Sequence, residues 1–240
     1  MKMGFSINQI EEITINVVKE STMTKSRIPD WKKMNEQAVW VELVGCILGS
    51  RVPYENAISA LHRLVETDLI DPNKILKNSV SAEKKISIEL SKPIYRPIKI
   101  DGEGRKYRYP NIRARNICEC AITLYSDGNN IKSLLKKTND KYIRDWISSN
   151  CAGVGPKQAS LFLRNIGYSQ KLAIIDSHVL RYMIKKELIP ESTHYNINRS
   201  QYYHLENTFV EYAETLGIQP GTLDLAIWAV MSQTSIGGAE

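Results

Sequence analysis

The stretch WISSNCAGVGPKQASLFLRN, residues 146–165, constrains the fold more than any other part of the chain. Helical apolar spacing continues on both sides of Gly153-Val154-Gly155, and Pro156 stands at a favoured first helical position. The two glycines permit positive φ angles and let a phosphate approach the backbone closely. The pattern therefore predicts a helix-hairpin-helix, which grips one DNA strand without reading its sequence.

Helix-period patterns cover most of the remaining chain. They predict a first helix through Ile10 and Val17, a buried helix over about 33–49, and further helices in PYENAISALHRLVET, PNIRARNICECAITLY, NDKYIRDWISSN, RSQYYHLENTFVEYAETLG and TLDLAIWAVMSQT. Region 84–109 differs, because it turns extended around Asp101-Gly102-Glu103-Gly104. We predict an all-α protein with two helical lobes around a cleft and a small β-hairpin insertion near 95–109. Residues 1–240 would form one such domain, with its helix-hairpin-helix and catalytic segment at about 139–187.

Charge and cysteine usage narrow the class of partner. The chain has 240 residues and a formal net charge of +6, which favours an anionic partner such as nucleic acid. No apolar run is long enough to span a membrane, and the first residues lack the features of a signal peptide. Its four cysteines have neither a disulfide nor a metal-site spacing. We expect an intracellular protein with free thiols, in the cytoplasm or nucleoid.

Lys157 and Asp176 each have two interpretations. Lys157 is either a solvated side chain that contacts one phosphate or an amine whose pKa is lowered by the helix dipole and partial burial. A neutral amine is a nucleophile toward an anomeric carbon, and that chemistry needs a nearby carboxylate. Asp176 follows the apolar run KLAII and precedes the helix SHVLRYMIKK. On the residues alone a helix N-cap is the favoured role for Asp176, and the two roles are compatible.

A family resemblance favours the catalytic interpretation. The segments GVGPKQASLFLRNIGY and LAIIDSHVLRYM closely resemble the helix-hairpin-helix DNA glycosylases, and in particular the compact, mainly archaeal 8-oxoguanine DNA glycosylase/AP lyases. ELVGCILGS, YRYPNIRARNICE and LDLAIW resemble other helices of that family. The resemblance implies that Lys157 is the Schiff-base nucleophile and Asp176 the catalytic carboxylate. It implies excision of a modified purine, first of all 8-oxoguanine, from double-stranded DNA, then β-elimination, with no metal, cofactor or obligate protein partner.

Further site residues follow from the same comparison. His178 matches a histidine near a DNA phosphate, with a helix-surface position as the alternative. Trp228 matches a wall of the base pocket, although its helical spacing also suits a core residue. Asp224 would hold polar groups of that pocket or cap the last helix. Arg51 would fill the gap in the duplex, bind a phosphate, or lie on the surface.

Some features depart from the family. The β insertion lies beside the expected cleft, and Gly49, Ser50 and Arg51 replace a small polar residue followed by Asn or Gln. The family's C-terminal lysine, which helps recognise the oxidised base, has no counterpart, because no lysine follows Lys186. We therefore expect the chemistry to be retained, with weak preference for 8-oxoguanine unless the tail covers the pocket.

Other possibilities remain at this stage. No cysteine follows Cys151, so the four-cysteine iron–sulfur cluster of many helix-hairpin-helix glycosylases is not expected. The same chemistry on a different modified base, for example in foreign DNA, is one alternative function. A non-catalytic helix-hairpin-helix DNA-binding protein is the other. Four arginines supply positive charge for DNA or lie on solvated helix faces: Arg113, Arg115, Arg164 and Arg181.

Overall fold

The computed structural model describes residues 6–23, 29–95, 104–136 and 139–233. Within these ranges the protein is helical nearly throughout, which confirms the predicted all-α class. The α-helices of these ranges are α1 (Ile7–Met23), α2 (Glu36–Leu48), α3 (Tyr54–Glu66), α4 (Pro72–Lys77), α5 (Ser79–Leu90), α6 (Pro110–Tyr125), α7 (Ile131–Leu135), α8 (Asp140–Asn150), α9 (Pro156–Asn165), α10 (Ser177–Lys185), α11 (Arg199–Thr215) and α12 (Pro220–Gln233). Two short strands, β1 (Pro93–Tyr95) and β2 (Arg105–Lys106), stand between α5 and α6.

The chain forms two compact units. The central unit is Asp30–Ile166, and the terminal unit combines Met1–Pro29 with Gly167–Glu240. Each unit has a core of its own and is described by itself below. The arrangement of one domain with two lobes around a cleft stays a prediction.

Helix α2 lies in the core of the central unit. Val39, Trp40 and Leu43 are fully buried, as the nearly all-apolar sequence of this helix predicts. The Trp40 indole Nε1 donates to the Ile70 carbonyl at 2.6 Å, and its ring meets Tyr125 edge to face with the centroids 5.6 Å apart. Helix α2 packs against α3, α6 and α9, so this core supports the second helix of the predicted hairpin motif.

Helices α1, α10, α11 and α12 build the core of the terminal unit. Phe209, Tyr182 and Ile10 are fully buried within it, and α1 packs against α12. The hydroxyls of Tyr182 and Tyr212 lie 2.7 Å apart, and Tyr212 donates to Glu11 Oε1 at 2.5 Å. This polar chain satisfies hydroxyl groups that would be costly to bury unpaired, and it joins α1 to α10 and α11.

The predicted β hairpin is present but differs in extent. β1 and β2 pair antiparallel, with Pro93 opposite Lys106 and Tyr95 opposite Arg105. Residues 84–90, predicted to be extended, belong instead to α5, because Ile86 and Leu90 lie one helical turn apart and are both fully buried. Residues 96–103, which include most of the predicted turn, lie outside the described residues.

Most predicted helix starts are confirmed. Asn139 caps α8, its side chain accepting from the Tyr142 amide, and Pro110 and Pro156 open α6 and α9. The prediction for Pro53 was wrong by one residue, since Pro53 is the N-cap and the helix begins at Tyr54. The short helices α4 and α7 were not predicted, because five or six residues carry too little periodicity.

The four cysteines all lie within the described residues. All four cysteines are free, as the sequence predicts, and all four are buried. None of the helices in the described ranges is long and apolar enough to cross a bilayer.

Candidate active site and DNA interface

Helices α8 and α9 and the turn 151–155 form the predicted helix-hairpin-helix. The Cys151 amide closes α8 by donating to the Ile147 carbonyl at 2.9 Å, and the Val154 amide donates to the Cys151 carbonyl at 3.2 Å. Val154 is buried, so its side chain anchors the turn. Gly153 has a φ of 74°, as expected, whereas Gly155 has a φ of −84° and serves as the N-cap of α9. Positive φ is therefore needed at one of the two glycines only.

Gly153 is restricted by space as well as by φ. A Cβ placed there would lie 2.8 Å from Cγ of Asn116, a residue of α6. Real Cβ contacts are longer, and the left-handed conformation adds about 1–2 kcal/mol for residues other than glycine. Glycine at this position thus lets the turn lie directly against α6.

The start of α9 presents free backbone donors. Gly155 forms no side-chain cap, and Pro156 contributes no amide hydrogen. The amides of Lys157 and Gln158 precede the first intrahelical bond, which the Ala159 amide makes to the Gly155 carbonyl at 3.0 Å. These donors, at the positive end of the helix dipole, form an arrangement that suits a phosphate.

Lys157 occupies the second position of α9. Its side chain is half-buried, and within the described part of the central unit its Nζ has no hydrogen-bond or ion-pair partner. A lysine at this point works against the helix dipole, which favours anions there. The lysine side chain therefore lies beside the free amides of the turn, without a carboxylate partner in the described part of the central unit.

Asp176 belongs to the terminal unit and caps α10, as predicted. Its Oδ1 accepts from the amides of His178 and Val179, both at 2.8 Å. In the described part of the terminal unit, its Oδ2 has no partner. The cap uses one carboxylate oxygen, so the second oxygen remains available for another role.

His178 is the second residue of α10, in its first turn. Its side chain is half-buried, and its Nδ1 is buried without a hydrogen-bond partner among the described residues. An unpaired buried ring nitrogen is costly, so a group that binds there would gain energy. A half-buried ring is compatible with a helix-surface position as well as with a phosphate contact, so both interpretations stay predictions.

Asp224 does not cap the last helix, which is a correction to one of its two predicted roles. α12 already begins at Pro220, so Asp224 lies inside the helix, and it is 2% exposed. Its Oδ2 accepts from the Ile174 amide at 2.7 Å. The Asp176 amide in turn donates to the Ile174 carbonyl at 3.0 Å. Asp224 therefore holds the segment that leads into Asp176.

Trp228 is not a core residue, which excludes that alternative. Its side chain is 40% exposed on α12, while its neighbour Ile227 is fully buried. A large aromatic face open to solvent is free to contact a ligand, and the base-pocket role stays a prediction.

Arg51 follows α2 and is exposed, with a φ of 60°. Arg113, for which a solvated helix face was one of two interpretations, is 8% exposed, so that alternative is wrong for this arginine. Its Nη2 donates to the Ser50 carbonyl at 2.7 Å. This bond could not be predicted from the sequence, because the two residues are far apart in the chain and only the packing of α2 against α6 brings them together.

A cavity of about 500 Å³ lies elsewhere in the central unit and contains none of the predicted site residues. It is lined by residues of α6, α7, α8 and the turn between α6 and α7, including Tyr142 and Trp146. Among the residues that the structure describes, no group of three His, Cys, Asp or Glu side chains is placed to hold a metal ion.

Comparison with known proteins gives consistent matches. A family model described as 8-oxoguanine DNA glycosylase matches residues 69–218. An 8-oxoguanine DNA glycosylase/AP lyase from Saccharolobus islandicus is 34% identical over 202 residues, covering 84% of this chain and 86% of that protein. One from Thermoplasma volcanium is 26% identical, covering 90% and 92%. The solved structure of the Methanocaldococcus jannaschii 8-oxoguanine glycosylase/lyase in complex with 15mer DNA containing 8-oxoguanine has the same fold, with a TM-score of 0.69, 24% identity, and coverage of 96% and 99%.

Proposed function

This chain belongs to the 8-oxoguanine DNA glycosylase family, and on that premise we propose that it is a bifunctional DNA glycosylase/AP lyase. It excises a modified purine, in the first place 8-oxoguanine, from double-stranded DNA and then nicks the strand at the abasic site. The observation that carries the proposal is the position of the Lys157 amine, which has no partner in the described part of the central unit, beside the free amides that open α9. Since the substrate is genomic DNA, we place the action in the cytoplasm or nucleoid.

The hairpin holds the DNA strand in this proposal. Gly153 brings the backbone of the turn close to α6, and the Lys157 and Gln158 amides donate to a phosphate. Such contacts fix the register of the strand without reading bases. Choice of the base then depends on a pocket that receives it after rotation out of the duplex.

Lys157 is the proposed nucleophile. Its Nζ attacks C1′ of the damaged nucleotide, the bond from C1′ to the base breaks, and that electron pair leaves with the protonated base. The nitrogen, having released a proton to the departing base, then forms a double bond to C1′ while the bond from C1′ to O4′ breaks. The sugar ring opens to a protonated Schiff base, O4′ takes up a proton, and no water is lost. Removal of a proton from C2′ then expels the 3′ phosphate by β-elimination, which nicks the strand.

Asp176 stabilises the positive charge that develops on the sugar as the base departs. The free Oδ2 supports this role, because Oδ1 is already occupied by the two capping amides. The amine and the carboxylate supply the chemistry, so the proposal needs no metal or organic cofactor. His178 contacts a DNA phosphate, and Trp228 and Asp224 belong to the pocket side of the terminal unit.

The experiment that tests the function is release of free base from a panel of duplexes. Each duplex carries one modified purine at a defined position, and an unmodified duplex is the control. We expect release of 8-oxoguanine and a nick at the same position. Release of a different base alone would favour the alternative substrate, and duplex binding without any release would favour the non-catalytic alternative.

A further inference from the structure

The loop from Gly49 to Pro53, here called the α2–α3 loop, is held in an unusual conformation. Arg51 has a φ of 60°, in the left-handed region, although it is not a glycine. That conformation is unfavourable for a residue other than glycine, and it persists where the surroundings determine it. The Arg51 side chain is exposed, so its own packing does not fix the backbone.

Two buried side chains fix this loop from outside. The Tyr107 hydroxyl donates to the Leu48 carbonyl at 2.6 Å, and Arg113 Nη2 donates to the Ser50 carbonyl at 2.7 Å. Both acceptors lie within three residues before Arg51, at a helix end where carbonyls lack intrahelical partners. Burial raises the pKa of Tyr107 to about 12, so its hydroxyl remains a donor at neutral pH.

The same guanidinium also reaches toward the hairpin. The Asn116 amide is oriented so that both its oxygen and its nitrogen form hydrogen bonds. In this orientation Arg113 Nη1 donates to the Asn116 oxygen at 3.2 Å, and the Asn116 nitrogen donates to the Ile112 carbonyl at 3.2 Å. Asn116 is the residue that lies against Gly153. One planar group on α6 therefore bonds to the α2–α3 loop and to the side chain that backs the hairpin.

The Arg113 guanidinium is buried and is not presented to solvent. Arg113 is 8% exposed, and its guanidinium lies 5.7 Å from the centroid of the Tyr109 ring. A charge that was kept only for a phosphate would be exposed. Arg115, two residues later on the same helix, is exposed, but it pairs with Glu83 at 3.5 Å. The buried position and the two hydrogen bonds indicate a role exerted through other residues.

We propose that Arg113 is a positioning residue for DNA engagement, which holds the α2–α3 loop so that Arg51 is presented to the duplex in register with the hairpin. The inference rests on the proposed function, because it assigns Arg51 to the DNA. A lysine cannot replace Arg113 here, since one ammonium lacks the planar fork that bonds to Ser50 and Asn116 together. In this proposal the Arg51 side chain fills the space that the rotated nucleotide leaves in the duplex.

A double-mutant cycle tests this coupling. The variants are Arg51→Ala, Arg113→Lys and the double variant, and Arg115→Lys is the matched control on the same helix. We measure single-turnover excision from the 8-oxoguanine duplex and Kd for a duplex with a stable abasic-site analogue. Each single variant is expected to lower the excision rate and the duplex affinity about tenfold. The double variant is expected to lose no more than the single variant with the larger loss, because the effects of coupled residues are non-additive. Arg115→Lys is expected to match the wild type.

Additive losses, or a full effect of Arg113→Lys in the Arg51→Ala background, would overturn the inference in favour of a merely structural role. If Arg113→Lys does not fold, Tyr107→Phe replaces it, since that change removes only the hydroxyl that bonds to Leu48. The Kd measurement separates the two proposals. A wild type that binds the abasic duplex but releases no base contradicts the proposed function alone, and non-additivity in Kd still supports the positioning role.

Discussion

At the scale of single residues, we propose that Asp176 combines two tasks that are usually assigned to different side chains, capping and catalysis. Its Oδ1 satisfies the His178 and Val179 amides at the start of α10, and its Oδ2 is left without a partner in the described terminal unit. The sequence predicted both tasks but not their division between two oxygens, since that depends on the side-chain rotamer. The division allows stability and catalysis to be separated by substitution.

Asp176→Asn is predicted to separate the two tasks. Asparagine caps helices about as well as aspartate, so the melting temperature should remain close to that of the wild type. Loss of the charge should lower excision by about a hundredfold or more, while duplex Kd stays unchanged, because the carboxylate acts on the transition state. Single-turnover excision, Kd and thermal melting check these outcomes.

Asp176→Ala is the companion variant. It removes the cap as well as the charge and should cost about 1 kcal/mol of unfolding free energy. If Asp176→Asn melts as low as Asp176→Ala and retains excision per folded molecule, capping is the only function of this residue.

At the scale of elements, sequence periodicity predicted the long helices and missed what depends on packing. The spacing of Ile10, of Val39 and Leu43, and the glycine turn before Pro156 were sufficient for α1, α2 and the hairpin motif. Helix α5 was missed, because its second half, KKISIEL, contains β-forming isoleucines whose burial in a helix is decided by the neighbouring helices. Burial of Arg113 was missed for the same reason.

The hairpin turn is the element whose prediction can be tested most sharply. Gly153→Ala forces a Cβ toward Asn116 in addition to the penalty for positive φ, so we predict loss of unfolding free energy and at least tenfold weaker duplex binding. The tenfold figure corresponds to about 1.4 kcal/mol of lost contact. Chemical denaturation and Kd for the duplex are the measurements.

Gly128→Ala is the matched control for that prediction. Gly128 has a φ of 72° in the same unit, but a Cβ there meets nothing within 4 Å. It should cost only the φ penalty, about 1–2 kcal/mol, and leave duplex binding intact. Equal effects of the two substitutions on binding would mean that contact between the turn and α6 does not matter for DNA.

At the scale of the whole molecule, the proposed functional residues divide between the two units. The central unit carries the hairpin, Lys157 and Arg51, and the terminal unit carries Asp176, His178 and Trp228. Each set is supported by its own core, so a substitution in one core should disturb one set first. The net charge of +6 favours association of the whole molecule with DNA, and it leaves selection of the damaged base to the few residues named.

The central claim is that the Lys157 amine forms a covalent bond with the sugar. Borohydride added during reaction with an 8-oxoguanine duplex reduces a Schiff base and leaves a stable protein–DNA complex, which is visible as a shifted band on a denaturing gel. We predict this complex for the wild type and for Lys141→Gln, an exposed lysine on α8 with the same change of charge, and none for Lys157→Gln. Absence of the complex with the wild type, or an undiminished complex with Lys157→Gln, would contradict the account.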